Sequence, residues 1–281
     1  MFAVIYQFKF PGVSEAKVAA GFCSESLGGK IAEYDFLGLN ILISKDGDLK
    51  KLESAYKIQK KNFKKLGFNP TFEAIWDDHD YGKNDGGYEY PLKKEAERLF
   101  LEFWNVDAED PRHDRKGIFF NEEKQILGSK VNLVALDTRY NRSLLGQKGK
   151  PYSPIEDTSK TMLGEEQWSW LENILDRESD LIVIVSSIQV LATNHVFEKW
   201  HNFPHERLRL LKLLESTNKP VVILSGDRHK AGLYEMGKIT EMPSSSMNKP
   251  ISKYLARIWN LLNKESDKLL KGEMYTQENY G

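Results

Sequence analysis

Four carboxylates, one imidazole and one carboxamide fall within the ten residues Trp76 to Asp85, W-D-D-H-D-Y-G-K-N-D. They follow directly on Phe72-Glu73-Ala74-Ile75-Trp76, a β-prone run without Pro or Gly, so a strand is expected to deliver a polar loop. Like charges packed this closely repel and raise one another's pKa, which makes such a loop costly to fold without a cation. Oxygen ligands with one nitrogen suit a hard or borderline metal ion. The alternative is a solvated turn, in which Asp77, Asp78 and Asp80 cap the chain with the help of Gly82, Gly86 and Gly87.

A second polar stretch lies far downstream. Lys219-Pro220 precedes the apolar run Val221 to Leu224, which reads as a buried strand, and Ser225-Gly226-Asp227-Arg228-His229 follows. In extended backbone, residues two apart point to the same side, so Asp227 and His229 are placed to reach one metal centre, with Gly226 permitting close approach. In open α/β sheets polar sites gather beyond the carboxyl ends of the strands, where both stretches are expected to sit.

Between them, Ile118 to Phe120, Glu123 to Leu127 and Val131 to Asp137 suggest a β-meander ending in Asp137-Thr138-Arg139-Tyr140-Asn141-Arg142. The guanidinium fork of Arg139 or Arg142 matches two oxygens of a phosphate, although Arg139 pairs equally well with Asp137. Cys23 closes an early strand, as a small buried residue or as a thiolate ligand. Further strands are expected at Phe2–Phe10, Lys17–Phe22, Asp35–Ile43, Leu181–Ser187, Leu233–Met236 and Ile239–Met242. Helices are expected at Asp48–Lys65, with an apolar face of Leu49, Leu52, Ala55, Tyr56 and Ile58, and at Leu92–Trp104, Gly164–Asp176 and Phe203–Leu214. A last helical stripe runs from Ile251 to Leu262. The Gly-, Pro-, Ser- and Lys-rich stretch from Gly146 to Lys160 is expected to be an exposed loop that shapes access to the polar site. This alternation gives an α/β class.

Four blocks resemble, in order, the alkaline phosphatase D (PhoD-like) metallophosphatase family: Ile75-Trp76-Asp77-Asp78-His79-Asp80, Val134 to Tyr140, Gly164-Glu165-Glu166-Gln167-Trp168, and Ser225 to His229. Weaker similarity runs from about Val18 to Ser246 and includes Trp200 to Leu214. The resemblance implies a single domain over residues 1–281 with a four-layer α/β/β/α sandwich of the calcineurin-like phosphoesterase type, incomplete at one or both ends. It implies hydrolysis of a small phosphate mono- or diester by two metal ions, iron and calcium foremost, with manganese or zinc as alternatives. Cys23, Asp78, Asn84, Asp227 and His229 are the ligands it implies, with His79 at the leaving oxygen and Arg139 on phosphate. At Leu39-Asn40 the chain departs from the family's Gly-Asp-Asn pattern, so the bridging aspartate is replaced. That departure motivates a second reading, a degenerate non-catalytic member that binds one metal or a phosphorylated ligand.

Charge excludes one function class. With 40 basic and 41 acidic residues the net charge is -1, which leaves no electrostatic footprint for a nucleic-acid backbone. Apolar runs fall short of the ~18 to 20 residues of a membrane span. The start, M-F-A-V-I-Y-Q-F-K-F-P, lacks the basic and long apolar regions of a secretory signal, so a cytoplasmic protein is expected, or an exported one if a leader precedes it. Oligomeric state is open.

Overall fold

The computed structural model describes residues 2–5, 49–63, 72–146, 151–228, 231–244 and 267–271. Cys23, Leu39, Asn40, His229, the two strands expected before residue 44 beyond the first, and the stripe from Ile251 lie outside the described residues.

Strand β1 (Phe2–Ile5) pairs antiparallel with β2 (Phe72–Ile75). A separate 6-stranded sheet comprises β3 (Phe120–Ile126), β4 (Ser129–Ala135), β5 (Leu181–Val185), β6 (Val221–Ser225), β7 (Tyr234–Met236) and β8 (Ile239–Pro243), in the order β3-β4-β5-β6-β8-β7. Its centre, β4-β5-β6-β8, is parallel, and antiparallel partners close both edges. The apolar runs of β5 and β6 follow from burial on both faces of a parallel sheet.

Alternate residues of the sheet enter two separate cores. Val134, Ile182, Ile184, Val221 and Ile223 pack against Trp168, Leu171 and Leu175 of α4 (Glu165–Leu175) and Leu210 and Leu214 of α5 (Pro204–Ser216), the two helices that carry the chain from β4 to β5 and from β5 to β6. Leu133, Ala135 and Val185 face the other way, onto Ile75, Trp76, Phe100 of α3 (Lys93–Phe103), and Leu52 and Tyr56 of α1 (Leu49–Phe63). Fully burying one such side chain contributes ~1.5–3 kcal/mol. Trp76 therefore anchors the end of β2, its ring 5.0 Å from that of Tyr81 and 5.5 Å from that of Phe100. The acidic stretch thus starts from a fixed point.

Three local expectations change. The meander is one hairpin, β3 with β4, turned by Leu127 and Gly128, whose φ values of 50° and 87° are those of a two-residue type I′ turn. Ile118 stays out of the ladder because its N–H is drawn to Asp137 Oδ2 at 2.9 Å. On α1, Ile58 is 45% exposed, and Gln59 holds the buried position three residues after Tyr56. The acidic stretch is not all loop: Asp78–Tyr81 forms a helical turn, α2. Asp80 Oδ1 accepts the Asp77 N–H at 2.7 Å, and Gly82, at φ 105°, ends the turn in the left-handed conformation. Among the described residues no helix is long and apolar enough to cross a membrane.

Candidate functional site

The carboxylates of Asp77, Asp78 and Asp227 converge, with one ligand atom from each lying within 4.8 Å of the others. Asp77 and Asp78 leave the carboxyl end of β2, and Asp227 leaves that of β6, so two sheets deliver one cluster. Asp227 has φ 67°, a left-handed conformation that non-glycine residues rarely adopt and that tends to mark functional sites. Burial first, then the charges of Asp77 and Asp78, push its pKa well above the usual carboxylate range, with Arg139 opposing them.

Asp78 and Asp77 are held from behind. Asp78 Oδ2 accepts the Asp85 N–H at 3.1 Å, and its Oδ1 lies 3.4 Å from His79 Nδ1. Asp85, itself at φ 47°, accepts at Oδ2 from the Tyr152 hydroxyl at 2.6 Å, so the 151–160 segment does reach the site. The His79 side chain is 28% exposed and stands at the edge of the cluster. Asn84 is exposed, and its Nδ2 donates to Asp85 Oδ2 at 2.9 Å.

Arg139 is fully buried. Its Nε and Nη2 both donate to Asp77 Oδ1, while Nη1 donates to Glu198 Oε2 at 2.6 Å and to Gly86 O at 3.4 Å. Glu198 is shared: its Oε1 lies 2.9 Å from Arg142 Nε. Arg142 in turn donates to Ser143 O at 2.8 Å and to Asp85 O. Burial raises the Glu198 pKa although both guanidinium groups draw it down. The expected pairing of Arg139 with Asp137 is replaced for a clear reason. Asp137 is used up on backbone, accepting the N–H groups of Arg139 and Tyr140 at Oδ1 and that of Ile118 at Oδ2.

These residues fit a cation. Asp77, Asp78 and Asp227 bring three carboxylates together, and among the described residues the Arg139 guanidinium bonds to Asp77 of the three. Uncompensated buried charge costs several kcal/mol per ion. Close backbone packing keeps the parts together, since a Cβ on Gly87 would lie 2.4 Å from Arg142 O, and Tyr88 N donates to that same oxygen at 2.8 Å.

Of the residues named from sequence, Asp78 and Asp227 meet in the cluster, with His79 beside it, while Cys23 and His229 lie outside the described residues. Sequence reasoning passed over two others. Asp77 does not stand out from the acidic run as a ligand, and Glu198 carries no local pattern that would tie it to Arg139, 59 residues away.

The sequence profile of PhoD-like phosphatases matches residues 53–251, more than half of the chain. No curated protein matches. Among solved structures, one described as GAP50, the anchor in the inner membrane complex of Plasmodium, aligns at 14% identity with a TM-score of 0.33, over 48% of this chain and 40% of that one. This chain therefore spans well under half of that protein's length.

Proposed function

The chain belongs to the PhoD-like phosphatase family, and from that premise we propose that it is a metal-dependent hydrolase of phosphate mono- or diesters. The observation that carries the proposal is the convergence of Asp77, Asp78 and Asp227 within 4.8 Å. The packing of α4 and α5 on one face of the large sheet, and of β2 with α1 and α3 on the other, supports a four-layer α/β/β/α sandwich in one domain. Bound metal would supply Lewis acidity at the phosphoryl oxygens and an activated water.

In this reading Asp78 and Asp227 are ligands, Asp77 joins them, and Asn84, His229 and Cys23 complete the set that the family resemblance implies. Iron and calcium are the metals favoured by that resemblance. His79, beside Asp78 and partly open to solvent, is placed to protonate or hydrogen-bond a leaving oxygen. For Arg139 the geometry favours a different role from direct contact with phosphate. Four of its five N–H donors are committed to Asp77, Glu198 and Gly86, so it positions Asp77. The degenerate reading rests on Leu39 and Asn40 alone, and the converging carboxylates support the catalytic one.

Hydrolysis of p-nitrophenyl phosphate and of its bis-ester, before and after chelation and metal restoration, tests the proposal. Turnover lost on chelation and in Asp227→Asn is expected. Turnover that survives both chelation and Asp78→Ala would sink it.

A further inference from the structure

A cleft of opposite charge opens where the chain leaves the acidic stretch and Arg139. Its volume is about 640 Å³, and its lining includes Lys93, Lys94, Lys116 and Lys160 but no carboxylate. Tyr88, Tyr140, Asn141, Ser143 and Ser159 complete the polar part of the wall. These are continuous with the functional site. Tyr88 ends the acidic stretch and binds Arg142 O, and Tyr140 to Ser143 follow directly on Arg139.

Four ammonium groups around one cavity repel one another, and the carboxylates that act on Lys93, those of Asp137, Glu89 and Glu97, are not part of the wall. Lys93 Nζ donates to Tyr140 O at 3.1 Å and lies 4.4 Å from the centre of that ring, which are contacts with neutral groups. Burial holds its pKa below the usual lysine value, and the neighbouring Lys116 adds to the effect against the pull of Asp137. Lys160 has only a long pair with Asp157, at 3.6 Å and well exposed. Lys94 and Lys116 are exposed, with no ion pair among the described residues. Lys93 and Lys94 also open α3, whose N-cap, Leu92, provides no side-chain cap, so the positive end of the helix adds to their field. An anion is what this wall is built to receive, and the hydroxyl and amide donors around it suit phosphate oxygens.

We infer that the cleft is a subsite for a second phosphate group, so that the preferred substrates are esters bearing a further phosphoryl group beyond the one that reacts. The inference rests on the hydrolase reading for the word substrate, but the anion site itself does not. The acidic cluster and the basic cleft divide the work: one gathers cations, the other takes the anionic remainder of the ester. Such a division would set specificity through KM.

The test is calorimetric titration of the full chain with pyrophosphate in the presence of chelator, which reads the cleft without the metal centre. One saturable site is expected. The triple substitution Lys94→Gln, Lys116→Gln, Lys160→Gln should weaken it at least about tenfold. The exposed Lys212→Gln, on α5, serves as control and should leave it unchanged. No saturable binding, binding untouched by the triple substitution, or equal weakening by the control would overturn the inference. In parallel, the triple variant should raise KM for a bisphosphate ester by about the same factor and leave that for p-nitrophenyl phosphate as it was. If neither ester is hydrolysed, the catalytic reading falls while the pyrophosphate titration still decides the subsite.

Discussion

Arg139 grips Asp77 through two nitrogens that meet a single carboxylate oxygen, Oδ1, across 62 residues of sequence and the gap between two sheets. The other Asp77 oxygen is not committed to the guanidinium. A buried cation therefore fixes the direction of a carboxylate that belongs to the converging cluster, and its far end is fixed by Glu198. The predictions below follow from that chain of contacts.

Removing the central cation leaves buried Asp77 without its guanidinium partner and Glu198 with Arg142 alone. Arg139→Gln should destabilise the chain by about 3–5 kcal/mol, read as a lowered midpoint in urea. Arg139→Lys should recover only part of this, because one ammonium cannot reproduce the fork that spans Asp77 and Glu198. Full recovery by lysine would refute the geometric role given to the guanidinium.

Glu198→Gln keeps the shape and removes the charge between Arg139 and Arg142. The expected result is a folded protein whose metal affinity falls about 10- to 100-fold, as for other groups that orient a ligand from behind. Calorimetric titration with manganese distinguishes this from a purely structural role, which would lower stability and leave affinity unchanged.

The acidic loop and the 139–142 turn meet at Gly87, where a methyl group has no room. Gly87→Ala places Cβ 2.4 Å from Arg142 O, so backbone must move. A loss of about 1–3 kcal/mol is expected, with weakened metal binding as Asp78 and Asp85 are pushed from their present contact. Wild-type stability and affinity in this variant would show that the approach is looser than described.

Glu97 makes stability depend on pH. Burial pushes its carboxyl from the usual 4.5 to about 7, with Asp137 adding to the rise and the N–H of Gly117, which donates at 2.7 Å, opposing it. The folded state thus favours the protonated form. That contribution is fully present below the unfolded value of 4.5 and is lost as pH rises through 7. After discounting for solvent screening, about 2 kcal/mol should disappear between roughly pH 5 and 8. Glu97→Gln should flatten the profile of urea midpoint against pH; an unchanged slope would exclude Glu97 as its source.

Much of the frame was readable in advance because it rests on periodicity. The apolar runs at Leu181 and Val221, and the stripes of α3, α4 and α5, each report burial along one short segment. So did the acidic stretch after β2 and Asp227 after β6. The misreadings have local causes as well. Ile58 was placed in the core because it is apolar, although Gln59 has the right phase. Ile118 is apolar and reads as strand, but the side chain of Asp137, 19 residues away, takes its N–H from the ladder. What no window of sequence can show is the pairing of charges between elements. Arg139 turned from Asp137 to Asp77 and Glu198 because backbone amides had already filled Asp137, and that depends on how two sheets meet. The lysines around the cleft come from three separate segments for the same reason.

The most direct test of the central claim is elemental analysis of the purified chain after incubation with iron, calcium, manganese and zinc, followed by gel filtration, in the wild type and in Asp78→Asn/Asp227→Asn. The account predicts tightly held metal in the wild type and its loss in the double variant with the fold intact by circular dichroism. A wild type that retains no metal, or a double variant that retains as much, would contradict it.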